Sequence, residues 1–322
     1  MNVKKAVENQ NVIFNMLKKS AADNRLSHAY LFYGDEGVGK KEMAYALACL
    51  LYCPHGGCLE CEVCKSIIDN NHMNIDYIGI QSTKTMISKE QITELQEEFS
   101  KTSLLDGTRV YIVDGIDTAS MAAQNSLLKF IEEPINSTPT IGIFLAKEKA
   151  NVVSTILSRC SLQHFKALPL NKMIDSLIEL EVNEFDAILS ASLTNNIDEA
   201  YEISKSSNFI KTKELFLNFL ELSTPKEGVK YYIDNVGYFS NNSEIQKLLQ
   251  WVLLFLEDAI MSSNDDNLIL KPIYDKIKMY KKKNLNSLKD KFKIVLDLSN
   301  KLKYNISAKN IFHELIVKLI GW

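Results

Sequence analysis

The sequence predicts an α/β domain of the phosphate-loop type, built on a parallel sheet and carrying an inserted cysteine module, followed by an all-helical remainder. Three observations lead there. Strand, glycine turn and helix follow in that order between Ala29 and Leu51, four of the six cysteines fall between Cys53 and Cys64, and the strand pattern ends near Ala167. With 322 residues, 46% of them hydrophobic, the chain can bury a sizeable core and is long enough for two or three domains.

Taken in order, apolar residues recur at helical spacing from Val12 to Ala22, and the chain then breaks at Asp23 and Asn24 before the buried-strand run Ala29-Tyr30-Leu31-Phe32-Tyr33. Gly34 to Gly39 form a glycine-rich turn, and Lys41 to Leu51, rich in Ala, Leu and Met, is the helix it opens onto. After the cysteines, Ile75 to Ile80 reads as a second strand, and Ser88-Lys89-Glu90-Gln91 is a capping box for a helix running to about Ser100. Asp106-Gly107 makes a turn into the strand Val110 to Val113, which ends on Asp114. A helix from about Ser120 to Glu133 is stopped by Pro134, and Thr140 to Ala146 is a further strand. Such alternation means a sheet covered on both faces, with ligands at the carboxyl ends of its strands. Beyond Ala167 amphipathic helices follow one another, with breaks near Ser206 to Asn208 and Ser223 to Pro225. The lysines between Lys276 and Lys283 read as a solvated helix face.

Charge and cysteine usage narrow the function. Charged residues make up 24% of the chain and the net charge is -3, so no global positive field exists to hold a phosphate backbone. Any nucleic-acid contact has to be local or shared with partners. The N-terminal MNVKKAVENQNVIF lacks the apolar stretch of a signal peptide, and apolar runs such as Trp251 to Leu256 are too short to cross a bilayer. A cytoplasmic protein is the expectation. In a reducing compartment, clustered cysteines favour a metal over a disulfide framework.

Gly34-Asp35-Glu36-Gly37-Val38-Gly39-Lys40 has the spacing in which backbone N–H groups cradle phosphates and a lysine reaches the terminal ones. The next residue should carry a hydroxyl for magnesium, but it is Lys41. Asp114 stands where an acidic residue would orient the metal, and its neighbour Gly115 has no side chain to activate water. Metal binding and water activation are both damaged, which predicts that hydrolysis is lost while nucleotide retention stays open. Cys53, Cys58, Cys61 and Cys64 are separated by four, two and two residues, a series that folds around one tetrahedral zinc ion as a closed structural site. Cys49 precedes them on a helix and reads as core. Ser158-Arg159-Cys160 follows a helix and precedes a strand; on its own it fits a surface arginine beside a buried cysteine as well as a phosphate contact.

With these pieces in place, the chain resembles the delta-prime family of bacterial DNA polymerase III clamp-loader subunits, catalytically reduced members of the AAA+ class. The resemblance rests on His28-Ala29-Tyr30-Leu31-Phe32 before the phosphate loop, on the cysteine module directly after the loop's helix, on Gln124 to Pro134 (QNSLLKFIEEP) and on Thr155 to Cys160 (TILSRC). It implies an AAA+ domain over 1–166 with the zinc module at about 53–64, a helical lid over 167–207 and a helical collar over 208–322. It also implies a subunit of the polymerase holoenzyme without catalysis of its own, a rigid stator in a hetero-pentameric ring with motor subunits and a wrench (delta) subunit. That ring places the sliding clamp on primed DNA. Arg159 is implied to act in trans, as an arginine finger on a neighbour's ATP. Ala146-Lys147, where a polar sensor residue often ends the strand, agrees with lost hydrolysis. Two rivals stay open at this point: an ATP-hydrolysing motor subunit of the same machine, and a free-standing zinc-containing nucleic-acid binder.

Overall fold

The computed structural model describes residues 2–80, 86–100, 107–132, 139–261, 268–282, 284–302 and 306–320. It divides into two units, Met1–Leu168 and Pro169–Trp322.

The first unit is a five-stranded sheet, β1 (Ala29–Tyr33), β2 (Ile75–Ile78), β3 (Arg109–Asp114), β4 (Thr140–Ala146) and β5 (Ser161–His164), in the order β2-β3-β4-β1-β5. All four pairings are parallel. Parallel strands need crossovers, so both faces are covered by helices and the central strands read as unbroken apolar runs. Strand alternation sorts those runs. Tyr30, Phe32, Val110, Ile112, Ile143 and Leu145 face α1 (Val3–Asn9), α2 (Asn11–Ala22), α3 (Lys40–Tyr52) and α4 (Glu62–Ile68). Ala29, Leu31, Tyr111, Val113, Phe144 and Ala146 face α5 (Lys89–Ser100), α6 (Met121–Glu132) and α7 (Ser154–Leu157).

The first strand, its glycine turn and the helix after it lie where the sequence puts them. The second strand is shorter than expected, ending at Ile78 rather than Ile80. The capping box is present in both directions: the Gln91 N–H donates to Ser88 Oγ at 3.3 Å and the Ser88 N–H to Gln91 Oε1 at 3.1 Å. Asp106 and Pro134, the expected turn and helix stop, lie outside the described residues. Two short helices, α1 and α4, have no counterpart in the sequence reading.

The second unit is helical throughout its described residues: α8 (Leu170–Glu179), α9 (Glu184–Ala191), α10 (Ile197–Lys205), α11 (Ser207–Phe219), α12 (Pro225–Asn235), α13 (Asn242–Met261), α14 (Tyr274–Lys281), α15 (Leu285–Lys301) and α16 (Ala308–Ile320). Its core centres on Trp251 of α13, whose indole N–H donates to the Leu189 carbonyl at 3.0 Å and whose ring meets Phe209 and Phe216 edge-on. A buried tryptophan needs such a partner for its N–H. Glu244, also buried, accepts from the Thr212 hydroxyl at 2.9 Å and pairs with Lys247 at 3.0 Å. No helix among the described residues is long and apolar enough to cross a membrane.

Candidate functional site

The carboxyl ends of β1, β3 and β4 bring the phosphate-loop residues and Asp114 to one edge of the sheet. The Gly34 N–H donates to the Ala146 carbonyl at 3.2 Å, and the Gly115 N–H to the Leu145 carbonyl at 3.0 Å. These bonds tie the loop after β1 and the turn after β3 to the end of β4. Gly34 has to be glycine: its φ is +144°, and an added Cβ would lie 2.2 Å from the Phe165 carbonyl oxygen. The loop then turns through Gly37 and Gly39, both left-handed, into the first turn of α3 at Lys40. From the joint between α1 and α2, the Gln10 side-chain amide reaches over the loop, donating to the Val38 carbonyl at 3.2 Å and the Lys166 carbonyl at 2.8 Å.

Lys40 folds back on the loop, its ammonium donating to the carbonyls of Gly34 and Asp35 at 2.5 Å each. Burial pulls its pKa down, against the opposing pull of Asp114, Asp117, Glu36 and Asp35. At the next position, where a magnesium-binding hydroxyl would stand, the Lys41 ammonium lies 3.9 Å from the centre of the Tyr77 ring, a cation–π contact. The Tyr77 hydroxyl in turn donates to Asp114 Oδ2 at 2.8 Å. Burial, and then the Asp114 charge, push the Tyr77 pKa up, so the phenol keeps its proton and remains a donor. Three side chains thus close the corner that a metal would need: a cation in the hydroxyl position, a phenol beside it, and a carboxylate whose Oδ2 is taken by that phenol. This residue set does not fit magnesium. The turn after β4 is held the same way, as the N–H groups of Lys147 and Glu148 donate to Asp117 Oδ2 at 3.0 and 2.9 Å.

The four cysteines converge. Cys53 is the C-cap of α3, Cys61 is the N-cap of α4, and Cys64 lies within α4. Their Sγ atoms, with that of Cys58, all lie within 4.8 Å of one another. Cys53 Sγ stands 3.6 Å from Cys58 Sγ and 3.7 Å from Cys61 Sγ. A tetrahedron with arms of about 2.3 Å has edges of about 3.8 Å, so the cluster is compatible with a structural zinc ion held by four thiolates. Burial opposes the Cys53 charge, but the N–H groups of Cys58 and His55 outweigh it and draw that thiol down to about 6. Cys49 stands apart, buried, and burial pushes its thiol up to about 11.

Arg159 lies after α7, at the start of the turn into β5. Its Nη1 donates to the Thr155 carbonyl at 2.9 Å and to Ser158 Oγ at 3.4 Å, and its Nη2 is ion-paired with Glu132 at the end of α6. The side chain is 37% exposed. Cys160 beside it is buried.

A parallel sheet ordered β2-β3-β4-β1-β5, with a phosphate loop after β1 and an acidic residue closing β3, defines a P-loop domain of the AAA+ type, here with a four-cysteine insertion after the loop's helix. Comparison with known proteins makes the assignment particular. Residues 9–169 match the family described as "DNA polymerase III, delta subunit". The chain is 31% identical to the Bacillus subtilis DNA polymerase III subunit delta' over 316 residues, which is 95% of either protein. It is 30% identical to the delta' subunit of Pseudomonas aeruginosa over 42% of each chain. It is also 35% identical to the Haemophilus influenzae tau/gamma subunit over 55% of this chain and 26% of that one. The chain belongs to the delta-prime family of DNA polymerase III clamp-loader subunits.

Sequence reasoning missed Tyr77, Gln10 and Glu132. Tyr77 sits in an apolar strand and reaches Asp114 only because β2 pairs with β3 in the register Tyr77 to Ile112, which puts the tyrosine and Asp114 on one face. Nothing local in the sequence signals that pairing.

Proposed function

We propose that this chain is the non-hydrolysing stator of the DNA polymerase III clamp loader, acting in a hetero-pentameric ring with motor subunits and a wrench subunit to place the sliding clamp on primed DNA. The observation that carries the reading is the filled metal corner, in which Lys41 covers Tyr77 and Tyr77 occupies Asp114. A motor subunit needs that corner for magnesium and needs a base where Gly115 stands. This chain contributes its arginine to a neighbour instead. Arg159 is partly exposed, and its planar fork keeps its charge and can bond two phosphate oxygens at once. Placed against a neighbour's terminal phosphate, it stabilises the charge that builds on the transferring group.

Cys53, Cys58, Cys61 and Cys64 hold zinc in this reading, and the metal ties the end of α3 to the start of α4. The loop residues Gly34, Gly37, Gly39 and Lys40 keep the shape of a nucleotide site without its metal chemistry. The reading also takes 1–166 as the AAA+ domain, 167–207 as the lid and 208–322 as the collar, and places the protein in the cytoplasm, at the nucleoid through the replisome.

Two measurements test it. The purified chain should show no ATP turnover with magnesium; turnover that Lys40→Ala abolishes would overturn the stator reading. Mixed with its candidate motor and wrench subunits, it should form a discrete assembly with clamp-loading activity, and failure to assemble would remove the ring.

A further inference from the structure

We infer that Glu132 is a positioning residue for Arg159. The inference rests on the arginine-finger reading above and adds a residue to it. An arginine side chain has four rotatable bonds and, on a surface, no reason to hold one conformation; a finger that must meet a phosphate across a subunit boundary has to be presented in one. Here the guanidinium is fixed at two points. Nη1 spends its donors on the Thr155 carbonyl, one turn back in α7, and on the neighbouring Ser158 hydroxyl. Nη2 rests on Glu132, 27 positions earlier at the last residue of α6 (159 minus 132). The first anchor is local to the arginine's own turn, whereas the second comes from another helix and so sets the direction in which the side chain leaves its own turn. Nε makes no hydrogen bond among the described residues, which leaves part of the fork available to a ligand.

The ion pair also has the right strength for this role. Glu132 is 46% exposed, and a pair that open to solvent is weak enough to be exchanged for a phosphate without a large penalty. A buried pair would trap the finger. The carboxylate therefore selects a conformation before the neighbour arrives and gives up part of its hold when it does.

The test is a double-mutant cycle in the reconstituted assembly of this chain with its motor and wrench subunits, read as ATP turnover. Glu132→Ala should slow saturated turnover at the adjacent motor site by about two- to fivefold, the range that an exposed ion pair supports, with the KM for ATP at that site unchanged. Glu132→Gln, which keeps the size and an acceptor oxygen but loses the charge, should fall between Glu132→Ala and the parent and serves if the alanine variant folds poorly. The double variant Glu132→Ala with Arg159→Ala should be no slower than Arg159→Ala alone, because Glu132 acts only through the arginine. Wild-type turnover in both Glu132 variants, or additive losses in the double variant, would overturn the inference. If Arg159→Ala itself leaves turnover unchanged, the finger reading falls, and this inference with it. If Arg159→Ala slows turnover and neither Glu132 variant does, only the role of Glu132 is lost.

Discussion

Tyr111, on β3, is almost wholly buried, with its ring packed among Phe99, Phe130 and Phe144 and its hydroxyl over Gly142 of the next strand. A Cβ at position 142 would lie 2.3 Å from that hydroxyl oxygen. Gly142→Ala should therefore destabilise the first unit by about 1–3 kcal/mol in denaturant unfolding. The Tyr111 ring carbons Cζ and Cε2 would also lie 2.4 and 2.8 Å from the added carbon, so Gly142→Ala should cost less in a Tyr111→Val background, where hydroxyl and ring are both gone, than in the parent; equal losses in both backgrounds would mean that the clash is not the cause. The cysteines allow a sharper residue-scale test. Each of Cys53→Ser, Cys58→Ser, Cys61→Ser and Cys64→Ser should lose the single zinc expected by elemental analysis, whereas Cys49→Ser should keep it, because Cys49 stands outside the cluster. The phosphate loop and cysteine module were legible in the sequence because each is a short motif whose spacing does the work. Tyr77 on Asp114 and Glu132 on Arg159 were not, because those contacts depend on strand pairing and helix packing between distant segments.

The helix α12 shows what an element's ends contribute. Thr224 and Glu227 form a reciprocal capping box: the Glu227 N–H donates to Thr224 Oγ1 at 3.3 Å, and the Thr224 N–H to Glu227 Oε2 at 3.0 Å. Thr224→Ala should cost about 1 kcal/mol in a thermal or denaturant melt. The Ser223 and Thr224 N–H groups hold the Glu227 carboxyl below its usual value near 4.5. The folded state thus binds this proton less readily than the unfolded state, so the stabilisation is present above the unfolded pKa and lost as pH falls through the folded one. The stability difference between the parent and Glu227→Gln should accordingly shrink below about pH 4. At Ser223 to Pro225 the sequence marks only a break and the Thr224–Glu227 box emerges in the structure, whereas the capping box at Ser88 to Gln91 announces itself in sequence. The seven-residue helix α4 does not, since so short a segment has no room for a full apolar period and is fixed by the cysteines at its start and within it.

For the molecule as a whole, the change from alternating strands to helices near Ala167 is legible because it changes the hydrophobic period itself, and α8 begins at Leu170. The strand order is not, as five parallel strands can be arranged in several ways by right-handed crossovers. The sheet gathers a phosphate loop, an acidic strand end and the chain around Arg159 into one domain, with the Lys41 ammonium over the Tyr77 ring and the Tyr77 hydroxyl on Asp114. A net charge of -3 gives the chain no general positive field to hold nucleic acid; in the proposed reading it works through partners. In the proposed stator, what the chain contributes to those partners is Arg159. The most direct measurement is ATP turnover by the reconstituted clamp loader carrying Arg159→Ala. The ring should assemble as before, while turnover at the adjacent motor site falls by about a thousandfold or more and total turnover and clamp loading fall with it; an intact ring with unchanged turnover would contradict the account.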